Sequence, residues 1–88
     1  MIQILNSEAT TYPNIGRYFF FEAQSGKHRA CVVASEFSVR VVLQNASHRV
    51  WRGMGKNFAS WDDAIAAYKT ADIRALIETA RDADKVAA

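Results

Sequence analysis

Four cations, Arg40, Arg49, Arg52 and Lys56, share the stretch from position 40 to 56 with one indole, Trp51, and a run of rings, Tyr18 to Phe21, lies upstream. Guanidinium and ammonium groups hold phosphate or carboxylate, and flat rings stack on nucleic-acid bases of any identity. Tyr18, Phe20, Arg40, Arg49, Trp51, Arg52 and Lys56 are therefore the candidate binding residues. The charge layout points the same way. Residues 1–57 hold seven Lys/Arg and three acids, a net +4, whereas residues 58–88 hold four Lys/Arg and six acids, a net −2. Such a separation gives the molecule a directional field that steers an anionic partner to one side.

Other chemistries lack their parts. Cys31 and His28 are three apart on a run that reads as a strand, so they point to opposite faces and cannot act as a local nucleophile and base; Cys31 reads as a buried, inert thiol. His28 and His48 are the only histidines, and no set of further ligands with metal spacing accompanies them. Gly53-Met54-Gly55-Lys56-Asn57 is not a phosphate loop, since Val50 stands where its first glycine belongs and Asn57 where Ser or Thr must follow the lysine. Asp62 and Asp63 are adjacent at a helix start, where they serve the dipole and not acid/base catalysis. The expectation is a non-enzymatic protein with no cofactor and no metal.

The elements that position these residues follow from periodicity. Met1–Leu5 reads as a short edge strand or irregular segment that ends at polar Asn6–Thr11, and Tyr12-Pro13-Asn14 with Gly16 marks the boundary of the domain body. Arg17–Gln24 and His28–Ala34, joined by Ser25-Gly26-Lys27, read as a hairpin. Ser38–Gln44 alternates with period two, Val39, Val41 and Leu43 on one face and Arg40, Val42 and Gln44 on the other. Asn45-Ala46-Ser47 would turn the chain into a fourth strand over His48–Met54, ending in a glycine bulge or irregular loop at Gly53 and Gly55. If Phe19, Phe21, Val39, Val41, Leu43, Val50 and Met54 face the helices, the opposite face shows Tyr18, Phe20, Arg40, Arg49 and Trp51; a one-residue change of register exchanges the faces and makes Trp51 core.

Helical signals begin at Ser60, which can cap the first turn three residues before Asp63. Trp61, Ala64, Ile65 and Tyr68 then form one helical face, and Ile73, Leu76, Ile77 and Ala80 a second, rotated by roughly 100° from the first. A bend or break near Lys69–Asp72 would bring both onto one sheet. Arg74 and Glu78 are spaced as an i, i+4 ion pair, and residues 84–88 read as a frayed tail.

The whole is an α+β fold: an antiparallel sheet of four strands, or five with the N-terminal segment, followed by one kinked or two short helices over residues 60–83. At 88 residues the chain makes one domain, and its 50% hydrophobic content supports a folded core, not disorder. Its apolar runs are too short to span a bilayer, and a single cysteine suits the reducing cytoplasm.

The order of strands then helix, opening on GRYFFFEAQSGKHRACVVAS (Gly16–Ser35), loosely resembles the layout of PUR-type nucleic-acid-binding repeats. The small sheet-plus-helix design is also similar in size to phage- or plasmid-borne proteins, some of which inhibit host defence complexes. Neither likeness carries a residue across. The leading expectation is a cytoplasmic protein whose basic, aromatic sheet face contacts nucleic acid, single strands favoured, or an acidic protein surface. The alternative is a protein-interaction module, an inhibitor or a homodimer using the same patch.

Overall fold

The computed structural model describes residues 1–45 and 55–87. The elements run β1 (Ile2–Tyr12), β2 (Gly16–Ser25), β3 (His28–Ala34), β4 (Val39–Asn45), β5 (Lys56–Phe58), α1 (Trp61–Ala66) and α2 (Ala71–Ala87). The strands form one antiparallel sheet in chain order, β1-β2-β3-β4-β5. Strands followed by helices on one face make this an α+β fold, as the sequence pattern requires. No helix among the described residues is long and apolar enough to cross a membrane.

Alternation along the central strands decides which face is core. Phe19, Phe21 and Ala23 of β2, Ala30, Val32 and Ala34 of β3, and Val39 and Val41 of β4 are buried together with Ala64 of α1 and Leu76, Ile77 and Ala80 of α2. The alanines of β3 leave room for α2, which packs over β1, β2 and β3, while α1 lies by β4 and β5. Ile73, Trp61, Ile65 and Tyr68 complete the two helical faces at the margin of this core. Ser60 caps α1, its Oγ accepting from the Asp63 N–H at 3.1 Å. Helix α1 ends at Ala66, and α2 starts at Ala71 after a short break.

Four details depart from the sequence reading. β1 does not stop at Leu5 but continues through Asn6–Thr11 to Tyr12. It is a rim strand with mostly solvated side chains, so polar residues cost nothing there, and Thr10 and Thr11 favour extended backbone. The strand after β4 that falls within the described residues is Lys56–Phe58, and the expected His48–Met54 strand lies wholly outside them. Residues 84–87 are helical, not frayed, because Ala83 packs on the core and Asp84 is tied to the sheet. Arg74 and Glu78 close no ion pair among the described residues; the ion pairs join Arg17 to Asp84, Arg29 to Glu22 and Arg81 to Asp82.

β1 also carries a bulge. Ile4 faces Ala23 and Asn6 faces Glu22, so Leu5 is an extra residue in the ladder. Before it, Ile2 and Ile4 lie on the helix side. After it, Asn6, Glu8, Thr10 and Tyr12 lie on the open side with Glu22, Phe20 and Tyr18.

Candidate interaction face

The face of the sheet away from the helices is built from the residues that alternate with the core. β2 supplies Tyr18, Phe20, Glu22 and Gln24, β3 supplies Arg29, Cys31 and Val33, and β4 supplies Arg40, Val42 and Gln44. Tyr12 joins them from β1, on the segment between the Leu5 bulge and the Pro13–Ile15 turn.

Three rings form a row along one end of this face. Tyr12 meets Tyr18 edge-on, with centroids 5.7 Å apart and planes at 76°. Tyr18 and Phe20, two residues apart on one strand, stack with centroids 6.3 Å apart at 19°. Each such contact adds roughly 0.5–1.5 kcal/mol beyond simple burial, so the row is a defined surface and not loose side chains. With Ile15 and Val33 these rings line an open cleft of about 290 Å³. Ile15 stands in the Pro13–Ile15 turn and is 63% exposed. The turn is held by the Ile15 N–H donating to the Tyr12 carbonyl at 3.3 Å and by a left-handed Asn14 at φ 68°. At the same end of the sheet, the β3–β4 loop presents Phe37, 80% exposed. Ser35 Oγ accepts from the N–H groups of Phe37 and Ser38, which fixes that tip.

Charge on this face is balanced by local pairing. Arg29 donates to Glu22 across the β2–β3 ladder. Arg40 lies opposite Val33, which in turn lies opposite Phe20, so it stands two strands from the ring row on the same face. Arg17 faces the helix side instead and donates to Asp84. Cys31 is half-buried rather than buried; burial pushes its thiol pKa up, Glu22 adds to the rise, and Arg29 opposes it. It lies on the open face while His28 lies on the other, as their spacing requires.

The structure brings together three of the seven residues singled out from the sequence, Tyr18, Phe20 and Arg40. Lys56 lies opposite Val41 and so on the helix side, where it lines a second cleft with Val41, Leu43, Gly55 and Tyr68. Arg49, Trp51 and Arg52 lie outside the described residues. Sequence reasoning missed Tyr12, Ile15, Val33 and Phe37. The signal for the first two was present, since Tyr12 and Ile15 are large apolar residues flanking Pro13-Asn14, where a turn has no core to fill.

Among the described residues no group of three or more His, Cys, Asp or Glu side chains is placed to hold a metal ion. No protein-family model, no curated protein and no solved structure matches this chain.

Proposed function

We propose that this protein is a small, non-enzymatic binding module that receives an apolar or aromatic side chain of a protein partner in the Tyr12–Tyr18–Phe20 cleft. The observation that carries this reading is the cleft's lining: Tyr12, Ile15, Tyr18, Phe20 and Val33, with no imidazole, carboxylate, thiol or amine among them. Water held against such a surface is released on docking, and the two phenol hydroxyls supply the polar edge that fixes orientation. Exposed Phe37 and Ile15 extend the apolar surface around it. The local pairing of Glu22 with Arg29 favours an apolar anchor over a strongly acidic surface. A lone cysteine kept as a thiol suits a reducing compartment such as the cytoplasm.

Selection of a displayed random-peptide library on the full chain tests the proposal. The expected outcome is enrichment of sequences that share one aromatic or large aliphatic anchor, with affinity lowered at least tenfold by Phe20→Thr or Tyr18→Thr. Enriched peptides that bind both variants as well as the parent, or no enrichment at all, would overturn it.

A second reading, single-stranded nucleic acid, draws on Arg40 sharing a face with the ring row. Rings would stack on bases while the guanidinium holds phosphate, and affinity for oligothymidylate would fall with salt at a slope of about −0.7 per neutralised phosphate. Binding that Arg40→Ala leaves unchanged would exclude that reading without touching the first.

A further inference from the structure

β1 is a rim of the sheet: it pairs with β2 on one side, and among the described residues no strand neighbours its other side. It runs for 11 residues, whereas the opposite rim, β5, has only 3. Long rims normally carry lysines, prolines or repeated bulges that block pairing with another strand. β1 has one charge, Glu8, no lysine and no proline, and its bulge at Leu5 leaves Asn6–Tyr12 as an uninterrupted ladder. Ser7, Ala9 and Thr11, on the helix side of this stretch, are all exposed although α2 packs nearby.

We propose that Asn6–Tyr12 pairs antiparallel with the same segment of a second copy of this chain, about a two-fold axis through Ala9. The register sets Asn6 opposite Tyr12, Ser7 opposite Thr11, Glu8 opposite Thr10, and Ala9 opposite Ala9. Each residue then meets a partner on its own face of the sheet, because alternation puts Asn6, Glu8, Thr10 and Tyr12 on one side and Ser7, Ala9 and Thr11 on the other. A second copy meets no like charge in this orientation. Each Glu8 faces a threonine, whereas a parallel mate in register would set the two carboxylates side by side. Small side chains on the helix side let the backbones approach to the ladder spacing of about 4.8 Å. The joint is a self-complementary contact that closes after two copies. Its paired length is about 23 Å at 3.3 Å per residue, shorter than a standard interface needs, so the dimer is reversible and concentration-dependent.

This surface borders the Tyr12–Tyr18–Phe20 cleft at Tyr12 but needs nothing bound there, and its test uses Ala9, which lies outside the cleft lining. Sedimentation equilibrium of the full chain, from micromolar to near-millimolar concentration, is expected to show a monomer–dimer equilibrium. Ala9→Lys sets two ammonium groups against each other at the axis and raises the dissociation constant at least tenfold; Ala9→Glu does the same with carboxylates. Mixing the two variants restores association as a heterodimer. Ala9 is exposed, so circular dichroism and thermal melting of each variant should match the parent. A parent that stays monomeric throughout, with or without affinity for foreign extended peptides, overturns the proposal. So does a dimer that Ala9→Lys leaves intact, or a mixture that fails to associate.

Discussion

Arg17 on β2 donates to the Asp84 carboxylate on α2 at 2.6 Å, joining residues 67 apart in sequence. A second, longer contact of 3.4 Å reaches the Asp84 carbonyl, so one guanidinium holds both the side chain and the backbone of the last turns. The pair is partly shielded from solvent, and a cation near a helix C-terminus also meets the negative end of the dipole. Asp84→Asn should therefore cost about 1 kcal/mol, lowering the melting temperature by about 4–8 °C for a domain of this size. Amide exchange should show the loss concentrated in residues 81–87, with the sheet unchanged.

Phe19 and Phe20 are neighbours on opposite faces, and substitution should separate them. Phe19 is wholly buried between β2 and the helices, so Phe19→Ala should cost about 3–5 kcal/mol by leaving a cavity. Phe20 faces the open side and loses only part of its contact, so Phe20→Thr should cost about 1–2 kcal/mol and keep the fold. Urea unfolding of the two variants gives both values. Equal costs would contradict the assignment of faces.

Gly55 and Gly26 both have positive φ, 73° and 58°, but their surroundings differ. A Cβ on Gly55 would sit 2.4 Å from the Val41 carbonyl oxygen and 2.7 Å from Val42 Cγ2, whereas on Gly26 it would meet nothing within 4 Å. Gly26→Ala should cost about 1 kcal/mol, the backbone penalty alone. Gly55→Ala adds a collision with the strand it pairs beside and should cost at least about 2–3 kcal/mol. Denaturation midpoints of the two variants test the difference directly.

Alkaline pH should weaken the fold. Burial raises the Cys31 pKa above 9.0 and the Tyr68 pKa above 10.0, so the folded chain holds both protons more tightly than the unfolded chain. Their contribution is complete below pH 9.0 and is lost as pH rises through the raised folded values. Unfolding midpoints from neutral to strongly alkaline pH should decline in that window, and Cys31→Ser should remove the part that begins first. At neutral pH iodoacetamide should alkylate Cys31 more slowly than it alkylates glutathione, since the thiolate is the nucleophile.

Much of this architecture was legible in the residues. The strict alternation of Val39, Val41 and Leu43 with Arg40, Val42 and Gln44 identified both faces of β4, and the Ser60 cap with two helical faces a quarter-turn apart implied the break before Ala71. The rim was not legible. Asn6–Thr11 bury little, so hydrophobic pattern carries no signal there, and strand formation depends on pairing with β2 instead. The cleft was read in part: Tyr18 and Phe20 followed from the period of β2, whereas Tyr12 ends a polar segment that has no hydrophobic period from which to assign its face. Lys56 could be assigned no face from the sequence, because β5 begins beyond the stretch in which a last strand was expected.

Leu5 is the single residue by which the two halves of β1 fall out of step. The later half takes its phase from the turn at Pro13–Ile15, the earlier half from Ile2 beneath the helices. Residues ahead of Leu5 can therefore be gained or lost without rotating the Tyr12 phenol off its side of the sheet. One residue gained between Tyr12 and Pro13 would carry that phenol through to the helices. The ring row is thus insulated from changes at the start of the chain and exposed to changes near the turn.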